Sequence, residues 1–238
     1  MTAPTPSPAP SPTLALTAPS LAAVADAVVG QIAAWAARGE SAPARLLGPG
    51  GEFVEWAHYP QPDAIAPATG WRFFYHAHAA RQRPAAEHGH FHVFVPPPAG
   101  SAGFSHLAGI AVDARGLPLR LFTTNRWVTG EVWQPAPALI ARLRRPGLHD
   151  AAPSDVARWL DGLLLLFADE IAALLLARDR RLAGPSGAAD PARLDDHRLR
   201  LPSRRRISLA ARLRALAPSS APPARAGSRR DTAPPASA

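Results

Sequence analysis

WRFFYHAHAARQRPAAEHGHFHVFV, residues 71–95, decides the fold, because five of the nine histidines fall in it among aromatic and β-branched residues. Such runs bounded by Gly and Pro read as strands. The stretch predicts two, Trp71–His78 and Gly89–Val95, joined by a polar loop and stopped by Pro96, Pro97 and Pro98. Residues i, i+2 and i+4 of a strand share a face. His76 and His78 therefore form one row, and His88, His90 and His92 a second. If the strands pair, opposed imidazoles stand about 5 Å apart at Cβ and can converge on one ion.

Moving outward, Ser105–Asp113 and Leu117–Thr124 have the same strand character, and the short Ala114-Arg115-Gly116 loop between them predicts an antiparallel hairpin. Helical spacing appears on both flanks. Leu21, Val24, Val28, Ile32 and Trp35 form one apolar stripe, with Ser20 placed to cap it and Gly39 to end it. A short helix is expected around Leu139, Ile140 and Leu143. A long one follows, carrying Val156, Trp159, Leu160, Leu163, Phe167, Ile171 and Leu174, capped by Ser154 and ended by Gly184 and Pro185. A final amphipathic turn has Ser208 as cap and Leu209, Leu213 and Leu216 on one side. The expected class is α+β: an antiparallel β-meander of about four strands with helices packed on one face, forming a single domain over residues 20–216 with its core strands in about 50–135. Residues 1–19 and 217–238, dominated by Pro, Ala, Ser and Thr, are expected to be disordered tails.

All 26 cationic side chains are Arg, which with the abundant Ala and Pro reflects coding in a GC-rich genome. Residues 1–183 hold 15 Arg against 14 acids, whereas residues 184–238 hold 11 against 4. The excess charge thus sits in the C-terminal segment, where nucleic-acid binding is a weaker expectation than simple solvation. The absence of cysteine excludes disulfides, thiolate catalysis and Cys-type zinc or iron–sulfur sites. No Arg precedes Arg38, so no secretory leader is expected, and the apolar run Leu163–Ala168 is far short of the ~20 residues that span a bilayer. A cytoplasmic protein with no membrane partner is the expectation.

A metal held by this chain must use His and carboxylates. Neutral imidazole suits Zn, Fe, Ni, Cu and Mn, and we expect a divalent transition metal, Zn, Fe or Mn, held by members of the set His76, His78, His88, His90 and His92. Three ligands suffice for a catalytic site, since an open position must remain for water or substrate. Glu87 is a candidate ligand or base, although strict alternation places it opposite His88 unless the strand begins later. His-x-His on a strand is also a feature of double-stranded β-barrel metal enzymes of the cupin type, but their Glu follows the pair closely, whereas Glu87 comes after a long loop. Phe122–Glu131, FTTNRWVTGE, offers Asn125 and Arg126 for a carboxylate or phosphate, hydroxyls from Thr123, Thr124 and Thr129, and Glu131 as a base or ligand. The same residues also fit a plain turn, stabilised by Asn125 and Gly130 with Trp127 in the core. Trp56 and Trp133 are read as packing residues.

The motifs HYP at 58–60, YHAH at 75–78, EHGHFH at 87–92 and TNRWVTGE at 124–131 resemble those of an uncharacterised bacterial family, a domain of unknown function. The likeness runs from Leu21 to Leu216 and implies that the segment up to Leu216 belongs to the domain. It implies no reaction. From the residues, the leading expectation is a metal-dependent protein or small enzyme acting on a small polar or anionic molecule. The alternative is a non-enzymatic module in which Phe73, Phe74, Tyr75, Phe91 and Phe94 stack single-stranded nucleic acid or another ligand. A structural or partner-binding protein with a pH-sensitive histidine surface is the third.

Overall fold

The computed structural model describes residues 20–48 and 53–217, so the expected tails lie outside it apart from Ala217. In chain order the elements are α1 (Leu21–Ala36), α2 (Ala42–Leu47), β1 (Tyr59–Ile65), β2 (Arg72–His76), β3 (Gly89–Val95), β4 (Ser105–Val112), β5 (Pro118–Thr123), α3 (Arg126–Thr129), α4 (Ala136–Leu143), α5 (Ser154–Leu166), α6 (Ala168–Leu182), α7 (Pro191–Leu194), β6 (Ser203–Arg206) and α8 (Leu209–Leu216). The class is α+β. The strands form one antiparallel sheet in the order β1-β2-β3-β4-β5-β6.

The sheet has six strands where about four were expected. Both additions are edge strands, which carry little of the alternation that marks a buried strand. β1 reads YPQPDAI, with two prolines of the kind tolerated at an edge. β6 reads SRRR, and its three arginines are exposed. The predicted hairpin joins β4 to β5, with Asp113 Oδ1 accepting from the Arg115 and Leu117 amides and Gly116 at φ +80°.

One sheet face is apolar. Phe73, Tyr75, Phe91 and Val93 are fully buried there against the helices, with the Phe91 ring 5.5 Å from Trp159 of α5 and Trp159 5.7 Å from Trp35 of α1. Burying one such side chain contributes about 1.5–3 kcal/mol, so this face anchors the fold. Ser20 and Ser208 cap α1 and α8 as expected. The long predicted helix is instead two, broken at Phe167 (φ −113°, ψ 24°), so that α5 packs on α1 while α6 turns to pack on α4, β5 and β6. Ser154 is the first residue of α5, makes no capping bond, and follows the cap position at Pro153. No helix among the described residues is long and apolar enough to cross a membrane.

Candidate metal centre

The opposite face of the sheet is built from the alternate residues. β2 places Phe74 and His76 there, β3 His90, His92 and Phe94, β4 His106, Gly109 and Ala111, and β5 Arg120 and Phe122. His76 pairs directly with His90 across β2 and β3, and their Nε2 atoms are 2.8 Å apart. His78, just past β2, completes the group: His76, His78 and His90 each offer a nitrogen within 4.8 Å of the others.

Space for this cluster comes from the small residues of β4. A Cβ on Gly109 would lie 2.2 Å from the Phe122 ring, so only glycine lets that ring lean over β4. Phe122 then meets His90 and His92 edge-on at 5.2 and 5.6 Å. Arg120, opposite Ala111, reaches across it toward β3.

Glu87 braces the group. Because β3 begins only at Gly89, Glu87 is free of strict alternation and turns back to His90. Its Oε1 is 2.9 Å from His90 Nδ1, and its Oε2 accepts from Arg120 at 2.6 Å. Burial alone would raise the Glu87 pKa, but the hydrogen bonds from His90 and Arg120 outweigh it and hold the carboxyl below its usual range. A carboxylate on Nδ1 fixes the imidazole's tautomer and leaves Nε2 as the ligand atom.

The imidazoles are held neutral. Burial, helped by neighbouring histidines, pushes His76 down to about 2 and His78 to about 4, and burial also lowers His90 against the pull of Glu87. The charge of Arg200 adds to the depression of all three. Neutral imidazole is the form that binds a metal. Across a metal with M–N of about 2.0–2.1 Å, adjacent nitrogens stand about 3.0–3.4 Å apart, so the 2.8 Å His76–His90 separation needs only a small opening to admit an ion.

The remaining histidines are placed differently. His88 does not continue the row. Its Nδ1 meets the Tyr75 hydroxyl at 2.5 Å on the helix-covered side, an approach that needs Gly89, where a Cβ would lie 2.4 Å from that hydroxyl. His92 lines the cavity beside the triad but bonds through Nδ1 to His106 Nε2 at 3.0 Å. Burial drives His92 well down and His106 to about 3, so this pair is neutral too.

The triad opens into a cavity of about 700 Å³. Its lining includes Trp56, stacked on His78 at 4.1 Å, and His58, stacked on Phe74 at 3.7 Å and bonded to Asp63 at 3.0 Å. Trp56 has φ +69°, a left-handed backbone that costs a bulky residue about 1–3 kcal/mol and is held by a 2.9 Å bond from its amide to the Ala77 carbonyl. Trp56 therefore packs on His78 as part of the cavity lining while staying 47 % exposed. The HYP motif carried a hint of His58, and alternation from Phe122 points to Arg120; nothing local marks Trp56 or Arg200.

The TNRWVTGE segment folds as the short helix α3 with its cap and its left-handed end. Asn125 caps α3, donates to the Arg193 carbonyl at 2.8 Å and does not line the cavity. Arg126 is paired with Asp195 on the surface. Gly130 ends α3 at φ +64°, and Trp127 stacks on His197 instead of entering the core. Glu131 lies behind the sheet face, accepting from the His106 amide, and burial raises its pKa to about 7. Thr124 and Thr129 do reach the cavity wall, and the hydroxyl of each is buried without a partner. The aromatic platform envisaged for nucleic acid is divided: Phe73, Tyr75 and Phe91 lie under the helices, and Phe74 and Phe94 line the cavity.

No curated protein and no solved structure matches the chain. A family described as a domain of unknown function matches residues 22–207, which takes in every element from within α1 to β6.

Proposed function

The chain belongs to that family, DUF6969, which assigns it no reaction, and we propose that it is a divalent transition-metal protein whose ion is bound by His76, His78 and His90. One observation carries the reading: three neutral imidazoles converge on the floor of a cavity, and one of them is braced by a buried carboxylate. Three nitrogen ligands leave a coordination position open toward the cavity, and Zn, Fe or Mn suits such a set. An ion there supplies Lewis-acid polarisation of a bound water or substrate oxygen. Glu87 orients His90, Arg120 holds Glu87 ionised, and Trp56 and His58 contribute rings to the cavity lining beside the triad. The reading extends to a small metal-dependent enzyme acting on a polar or anionic molecule.

The test is elemental analysis of untagged protein after gel filtration in metal-free buffer and reconstitution with Zn, Fe or Mn. About one equivalent is expected. His90→Ala and His76→Ala should lose it, whereas His88→Ala should keep it because His88 faces Tyr75. A His90→Ala protein with full stoichiometry, or no metal in the parent chain, overturns the assignment and leaves the 2.8 Å His76–His90 contact as a structural hydrogen bond.

A further inference from the structure

Thr124, the residue after β5, and Thr129 of α3 both line the cavity. Neither Oγ1 has a hydrogen-bond partner, and Thr124 is 1 % exposed. An unpaired buried hydroxyl costs about 1–3 kcal/mol, so two on one cavity wall mark a place where a ligand acceptor belongs. Arg200 lines the same cavity from the segment preceding β6. The Asn125 amide donates to the Arg200 carbonyl at 3.1 Å, which sets Arg200 beside Thr124.

Charge points the same way. Arg83, Arg120 and Arg200 line the cavity against two carboxylates, Asp63 and Glu87. Both carboxylates are engaged, Asp63 by His58 and Glu87 by Arg120 and His90, whereas among the described residues no carboxylate pairs with the Arg200 guanidinium. Three guanidiniums against two carboxylates leave the cavity net cationic, and a divalent ion would make it more so. Aromatic rings make up much of the remaining wall: Phe94 lies 4.9 Å from Phe104, and Phe94 and Phe122 both meet His92. A volume of about 700 Å³ is of the order that encloses a small organic molecule.

We propose that Arg200, Thr124 and Thr129 form an anion subsite that receives the carboxylate of a small aromatic acid, its ring held among Phe94, Phe104 and Phe122. The guanidinium supplies a planar fork for the carboxylate and the two hydroxyls donate to its oxygens. The proposal deepens the metal reading, since the far end of such a molecule faces the triad, but the subsite itself stands on residues outside it.

The test titrates the zinc-loaded full chain with benzoate and 3-phenylpropanoate, and with the corresponding neutral amides, by calorimetry or ligand-observed NMR. At least one acid should bind tenfold or more tightly than its amide. Arg200→Ala should remove that preference with zinc content and melting temperature unchanged, and Arg200→Lys should restore part of it. Thr124→Val, which deletes an unpaired hydroxyl, should weaken acid binding several-fold without loss of stability. Equal binding of acids and amides, no binding of either acid, or an unchanged preference in Arg200→Ala overturns the subsite. An Arg200-dependent preference in a chain that holds no metal supports the subsite and overturns only the metal reading. Stoichiometric zinc without an acid preference does the reverse.

Discussion

Replacing Glu87 tests the brace beneath the triad. Glu87 is 4 % exposed and makes two bonds, to His90 at 2.9 Å and Arg120 at 2.6 Å. Glu87→Ala leaves both partners unmatched. A hydrogen bond to a charged group contributes about 1.5–3 kcal/mol. Arg120 keeps some access to water and recovers part of its loss, so chelated Glu87→Ala should be destabilised by about 3 kcal/mol in urea unfolding. Glu87→Gln keeps an acceptor for His90 but presents the guanidinium with an uncharged amide, and should lose about half as much. The effect on metal has a separate cause, since His90 without its carboxylate is a weaker base with a free ring orientation. Losing such a partner costs about 10- to 100-fold in affinity, equivalent to about 1.4–2.7 kcal/mol. Zinc affinity is read by competition with a chromophoric chelator at pH 7.5, on protein shown to be folded by circular dichroism. A folded Glu87→Ala protein that binds zinc within twofold of the parent refutes the role of Glu87.

Three further outcomes are expected. Gly109→Ala should cost about 1–3 kcal/mol in unfolding free energy, because its Cβ would lie 2.2 Å from Phe122; adding Phe122→Leu should recover most of it, and an additive double mutant refutes the packing account. Zinc affinity should stay nearly flat from pH 7 to 5, because His76 and His78 accept protons only near about 2 and 4, whereas two unshifted imidazoles would lose about three powers of ten at pH 5; a loss of that size refutes the preorganised neutral triad. Glu131, raised to about 7 in the folded chain, contributes stability that is complete below its unfolded value of 4.5 and is lost as pH rises through 7. The stability of Glu131→Gln relative to the parent should therefore increase by about 1.4 kcal/mol between pH 6 and 8.5, and parallel pH profiles for the two proteins refute it.

The sequence by itself determined whatever depends on local periodicity and local hydrogen bonding. The alternation around His76 and His90 put them on one strand face, the Asp113–Gly116 turn set the β4–β5 hairpin, and Ser20 and Ser208 marked two helix starts. These signals are legible because a strand has period two whatever its neighbours, and a cap is satisfied within a few residues. Tertiary structure decided everything that rests on which segments meet. β1 and β6 were missed because edge strands need no apolar alternation, and the break at Phe167 because α5 and α6 serve different partners. His88 leaves the row only because Gly89 admits the Tyr75 hydroxyl, and Glu87 enters the site only because β3 starts after it. Asn125 and Arg126, plausible anion ligands by residue type, are tied to Arg193 and Asp195, while Arg200, which has no carboxylate partner among the described residues, arrives from about 75 residues further along the chain. Residue chemistry is written locally, but which groups are left without partners is a property of the whole packing, and that is what shapes this site.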